Sequence, residues 1–104
     1  MLSATQAIAF AVGSEGTIVV DDGARTALLD RGVSLLPAGV REVTGSFAAD
    51  DAVEIAGVDG KVFAKGLTRV SAAALRSVAG RRTADLPAEI PHEAVHRDDL
   101  VVLP

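Results

Sequence analysis

The 104 residues predict a mixed α/β fold that is mainly β, a compact barrel of short strands carrying two short helices. Three observations carry this expectation. β-Branched or alternating runs of four to six residues recur along the chain, each bounded by Gly, Pro or Asp. Two alanine-rich stretches each follow a residue able to cap a helix N-terminus. Asp59-Gly60 is a strong short hairpin signal between two of the strands.

Taken in order, Met1 to Val12 is largely apolar, with Leu2, Ala4, Ala7, Ile8, Ala9, Phe10, Ala11 and Val12. It is too short to span a bilayer and has no Lys or Arg at its start, so it is a poor signal peptide. Residues 1–15 are expected as an N-terminal linker or strand remnant, and 16–104 as the folded domain. Thr17-Ile18-Val19-Val20 has the composition of a buried strand. Asp21 or Asp22 can cap the following helix and oppose the positive end of its dipole. Ala24, Ala27 and Leu28 then share one face at i, i+3 and i+4. Arg31 falls in the last turn, and Gly32 can end the helix in the left-handed conformation. A helix this short does not persist alone in water, so the Ala/Leu face must lie against the protein.

Ser34-Leu35-Leu36-Pro37-Ala38-Gly39-Val40 is unusually apolar for a loop. It reads either as a plug, with Leu35 and Leu36 closing the end of the core, or as a shaped loop held beside the helix. Val40 to Val43 reads as the second strand, and Asp50-Asp51 marks a turn region around Phe47. Ala52 to Ala56 alternates, with Val53 and Ile55 facing one way and Glu54 the other. In Lys61 to Val70 the lysines 61 and 65 oppose Val62 and Ala64, and Gly66 predicts a bulge or a close backbone approach. Ser71 caps a helix over Ala72 to Ala79, with Leu75 and Val78 as its buried stripe and Gly80 as its end. Arg81 to Pro91 is a loop by its prolines. Ala94–His96 and Leu100–Leu103 are expected as short strands joined by Arg97-Asp98-Asp99.

Composition narrows the function. There is no Cys, hence neither a disulfide nor a thiolate metal site, which fits a cytoplasmic location. The net charge is -4 and aromatic residues make up 3%, so the chain is neither a strongly basic nucleic-acid binder nor a stacking platform for single strands. His96-Arg97-Asp98 matches the catalytic-loop triplet of protein kinases. Asp99 stands where that motif has Leu, and no Asp-Phe-Gly or Gly-rich loop accompanies it, so a polar turn is the better reading. His92 and His96 stand four apart, a chelating spacing on a helix, but too few further ligands converge to expect a metal. Asp21-Asp22 and Asp50-Asp51 are explained by capping and turn chemistry. No catalytic residue is expected. Between Gly60 and Ala84 stand Lys61, Lys65, Arg69, Arg76, Arg81 and Arg82, while all 14 acidic residues lie outside that stretch. Either these cations form a basic patch, or they point apart and solvate a strand and a helix.

Gly16 to Ala24 (Gly-Thr-Ile-Val-Val-Asp-Asp-Gly-Ala), Ser34 to Val40, Ala64 to Leu67 (Ala-Lys-Gly-Leu) and Val95 to Asp98 (Val-His-Arg-Asp) occur in an order and spacing that resembles the PUA domain at the C-terminus of bacterial glutamate 5-kinases. The chain departs from that pattern at Leu86 to Pro91, where family members usually carry a Leu-Gly-Tyr-like segment. The resemblance implies a PUA-like pseudobarrel. It also implies that the amino-acid kinase domain, which uses ATP and Mg²⁺ to phosphorylate glutamate for proline synthesis, lies outside this stretch, leaving no cofactor here. The expected role is an accessory, regulatory or assembly module, with the kinase domain as partner and a homo-oligomer and RNA as candidate partners; no membrane is implied. The alternative is an RNA-binding module, as in PUA domains of RNA-modifying enzymes. Carried onto this chain, that surface comprises Arg25, Arg31, Gly32, Ser34, Leu35, Leu36, Pro37, Ala38 and Gly39, with Lys65, Gly66 and Arg69 nearby.

Overall fold

The computed structural model describes every residue except Val12, and every other side chain except those of Thr5 and Phe10. Val12 and the Phe10 side chain, both counted in the apolar N-terminal run, therefore lie outside the described residues. Strands β1 (Gly16–Val20), β2 (Val40–Gly45), β3 (Ala52–Ala56), β4 (Val62–Leu67) and β5 (Leu100–Val102) form one sheet in the order β2-β1-β3-β4-β5. β1 and β3 are parallel, and the other neighbours are antiparallel. The helices are α1 (Ala4–Ala11), α2 (Asp22–Arg31) and α3 (Ala72–Val78), with 3-10 turns at Pro37–Gly39, Thr83–Asp85 and Arg97–Asp99. An isolated antiparallel bridge joins Leu35 to Val95. These two residues lie in the segments that lead into the edge strands β2 and β5, so the bridge ties the two ends of the sheet together across the core.

α1 corrects the expectation of a linker or strand remnant and adds a third helix to the two expected. Its local cause is a capping box: Gln6 N donates to Ser3 Oγ (3.1 Å), and Ser3 N donates to Gln6 Oε1 (2.9 Å). With its oxygen so engaged, the Gln6 amide turns its Nε2 to the Leu100 carbonyl (3.0 Å) and pins the helix to β5. Ala9 is buried beneath it. α2 forms as the residues dictate. The Asp21 carboxylate accepts from Ala24 N (2.7 Å), and Gly32 closes the helix at φ 60°. α3 is capped by Ser71 Oγ, which accepts from Ala74 N (3.1 Å). Leu75 and Val78 then enter the core. The helix stops at Val78, one residue short of the expected end.

The core gathers Ile18, Val20, Leu28, Leu35, Val40, Val53, Ile55, Leu75, Val78 and Val95. β3 pairs on both sides and is buried on both, with Glu54 half-exposed, so its alternation is weaker than its sequence implies. The ladder irregularity in β4 is not at Gly66. Ile55 pairs with Ala64 and Ala56 with Val62, which leaves Phe63 as the extra residue; Phe63 and Ala64 are consequently both buried. At Gly66 it is the close approach that holds, since a Cβ there would stand 2.6 Å from Val95 Cγ1 and 3.0 Å from the Asp99 carbonyl. Ala94–His96 is not a strand; the segment contributes only the Val95 bridge.

Candidate functional site

A groove lined by the expected loop lies between α2 and the segment Val33–Gly39 and encloses about 300 Å³. Ala24, Ala27 and Leu28, the helical stripe already legible in the sequence, form one wall together with Arg31. Ser34, Leu35, Leu36, Ala38 and Gly39 form the other. The loop can approach so closely because Gly39 has no side chain: a Cβ there would lie 2.6 Å from Ala24 Cβ. Asp21 N donates to the Gly39 carbonyl (2.9 Å) and fixes the far end. The near end hangs on the segment before β5. Leu35 N donates to Val95 O (2.9 Å), Ala94 N to Leu35 O (2.8 Å), and Arg97 N to Ser34 Oγ (2.8 Å).

The two loop leucines part company. Leu35 is 1% exposed and belongs to the core, whereas Leu36 is 40% exposed at the groove. The plug and the shaped loop are thus both present, one leucine each. The groove is apolar apart from Arg31, Ser34 and Asp21, and the Asp21 carboxylate is engaged in capping.

Six of the twelve expected site residues, Arg31, Ser34, Leu35, Leu36, Ala38 and Gly39, line this groove. The other six do not. Gly32 is the helix cap, and Pro37 is buried behind the loop. Arg25 points the other way, its guanidinium carbon 5.4 Å from the Phe63 ring centroid and its Nε buried without a hydrogen-bond partner among the described residues. The reason is helical phase: Arg25 follows Ala24 by one residue, about 100° around the axis. Gly66 packs on Val95 and so reaches the loop only through the Leu35–Val95 bridge. Arg69 sits in a separate cleft with Asp50, Thr68 and Asp99. Lys65 lies opposite Glu54 in the β3–β4 ladder. Sequence reasoning placed the first helix at the site through Arg31 but not through Ala24, Ala27 and Leu28, although their spacing was read; it also missed Ala94, which holds the loop by a backbone bond.

Arg69, Arg76 and Arg82, three of the six residues of the basic stretch, have separate partners. Arg69 lies 3.8 Å from both Glu93 and Asp99, and Arg82 lies 3.5 Å from Asp85. Arg76 donates across to the Val43 and Gly45 carbonyls of β2. His96-Arg97-Asp98 is a polar turn, in which His96 Nδ1 accepts from Asp98 N (3.0 Å). His92 and His96 share no helix, and no group of three or more metal-ligating side chains converges among the described residues.

The fold and this loop define a class. The family model of the PUA domain matches residues 16–90, and the chain belongs to that family. A PUA domain of Aeropyrum pernix K1, solved with tartrate, superposes at TM-score 0.65 with 29% identity over 80% of this chain and 41% of its own. A conserved PUA domain protein of Thermoplasma acidophilum shares the fold at TM-score 0.63, with 16% identity over 95% of this chain and 54% of its own. More particularly, the curated relatives it resembles are glutamate 5-kinases. That of Myxococcus xanthus is 49% identical over 100 residues, covering 92% of this chain and 26% of the relative. That of Mycolicibacterium smegmatis is 44% identical over 92 residues, covering 88% and 25%. The chain therefore spans about a quarter of the length of the curated relatives it matches.

Proposed function

We propose that this chain is the PUA portion of a glutamate 5-kinase, serving assembly or control of a kinase domain in the cytoplasm, with no catalysis of its own. We place the PUA unit at residues 16–104, with 1–15 leading into it. The observation that carries the reading is identity of 40–49% to glutamate 5-kinases across most of this chain but only a quarter of theirs. ATP and Mg²⁺ belong, on this reading, to the remaining three quarters. The residues here do not fit them: the groove offers one guanidinium, Arg31, and its carboxylate, Asp21, is committed to a backbone amide. No helix among the described residues is long and apolar enough to cross a membrane. An apolar groove with Leu36 at its lip suits contact with protein better than with a phosphate backbone.

The test replaces the matching region of the Myxococcus xanthus enzyme with this chain. The hybrid should phosphorylate glutamate and retain its assembly state, while this chain alone should turn over no ATP in the presence of glutamate. Leu36→Glu in the hybrid should alter assembly or feedback control and leave the chemical step intact. A hybrid indifferent to deletion of the whole domain would overturn the reading.

A further inference from the structure

We propose that His96 is a proton-sensitive latch on the α2 groove. The imidazole occupies a position usually held by an oxygen acceptor, the cap of the 3-10 turn Arg97–Asp99. Its Nδ1 accepts from Asp98 N at 3.0 Å, so in this arrangement Nδ1 carries no proton and the ring proton is on Nε2. Nε2 faces Glu93 Oε2 at 3.9 Å. A proton on Nδ1 abolishes the acceptor and sets two N–H groups against each other. The new N–H has a better partner close by, Asp98 Oδ2 at 3.6 Å. Protonation therefore takes the cap acceptor from the Asp98 amide and offers the ring to the exposed Asp98 carboxylate instead, which loosens the turn.

That turn is not isolated. The residue between His96 and Asp98, Arg97, donates its backbone N–H to Ser34 Oγ, and Val95 on the other side is bridged to Leu35. Both anchors belong to the groove wall. Rearranging the cap thus acts on the two bonds that hold Ser34 and Leu35 in place. The charged groups facing the imidazole are Glu93 and Asp98. Asp99 and Arg69 lie one step further, Arg69 being paired with both Glu93 and Asp99. α1, which packs on the turn, brings no charged residue. The latch concerns the shape of the groove and stands whatever the groove binds.

The test is a pH titration of the whole chain from about pH 8 to about pH 5, the interval in which imidazoles change charge, followed by NMR of ring and backbone signals. The Arg97, Asp98, Ser34, Leu35 and Leu36 amides are expected to shift with a single midpoint equal to that of the His96 ring. His96→Asn keeps a side-chain oxygen to accept from Asp98 N but does not titrate, and it should abolish the shifts with the fold intact. His92→Asn, at an exposed position outside the turn, should leave them unchanged. Groove amides that stay still while His96 titrates would overturn the proposal, as would equal shifts in His96→Asn. Should His96→Asn fail to fold, comparing the midpoints of the Ser34 and Leu35 amides with those of the two imidazole rings in the wild type decides the matter alone.

Discussion

Two glycines decide how closely the loops of this domain approach its helices and strands. Neither does so by adopting a left-handed backbone, since the positive φ values fall at other glycines, such as Gly32 and Gly60. Gly39 is required because Ala24 Cβ occupies the space its own side chain would need, and Gly66 because Val95 does. Gly39→Val should therefore destabilise the domain by about 1–3 kcal/mol, the usual cost of overpacking. Arg31→Ala, at an exposed position, should change stability by no more than about 0.5 kcal/mol. Urea denaturation of both variants checks this; equal midpoints would mean that the loop yields and the groove is not rigid. Close approach could be anticipated at Gly66, where a glycine interrupts a strand. At Gly39 a glycine in a loop invites the ordinary turn explanation instead.

Each helix is specified at its first residues, and the three caps differ in how far they reach. Asp21 and Ser71 satisfy amides of their own helices. Each should cost about 1 kcal/mol when replaced by Ala. Gln6 does more, because its amide closes the capping box of α1 and also holds the Leu100 carbonyl 94 residues away. Gln6→Ala is expected to speed amide exchange across α1 by more than Ser71→Ala speeds it across α3, while the β1–β3 amides keep their protection. The reason is that α1 lies over β4 and β5, and its buried Ala9 is not among the core cluster. Uniform loss of protection throughout the sheet would show instead that α1 folds as one unit with the core.

At the scale of the molecule, Arg69, Arg76 and Arg82, three of the six cations segregated along the chain, are engaged by acceptors. Of the six cations between residues 61 and 82, Lys65 lies in β4 and Arg76 in α3 while the others lie in the segments around them, and Glu93, Asp99 and Asp85 meet Arg69 and Arg82. A domain of net charge -4 with Arg69, Arg76 and Arg82 so engaged should bind RNA no more tightly than the non-specific range of about 10⁻⁴ to 10⁻⁶ M. A Lys65→Glu, Arg69→Glu double variant should bind no differently from wild type in titrations at several salt concentrations. A steep salt dependence lost in that variant would restore the basic patch.

Short-range signals were enough for the parts of this protein governed by neighbouring residues. Asp21, Gly32 and Ser71 bound their helices, Asp59-Gly60 makes the β3–β4 turn, and the spacing of Ala24, Ala27 and Leu28 marks a single helical face, because each effect acts within one or two turns of chain. The order and spacing of Gly16–Ala24, Ser34–Val40, Ala64–Leu67 and Val95–Asp98 also pointed to the family. The S-x-x-Q pattern at Ser3 and Gln6 was equally local, but an apolar run without clear periodicity concealed the helix behind it. Tertiary structure alone decided that Leu35 is buried and Leu36 exposed, that Arg25 turns to Phe63 and away from the groove, and that Phe63 is the bulge. It alone hung the groove wall on Ala94, Val95 and Arg97. The split of the two leucines and the hanging of the groove wall depend on pairing between Leu35 and Val95, 60 positions apart, so no short window of sequence contains both partners. The bulge and the direction of Arg25 lie within a hairpin and a helix, but the strand register and the ring of Phe63 that decide them are set by the packed sheet.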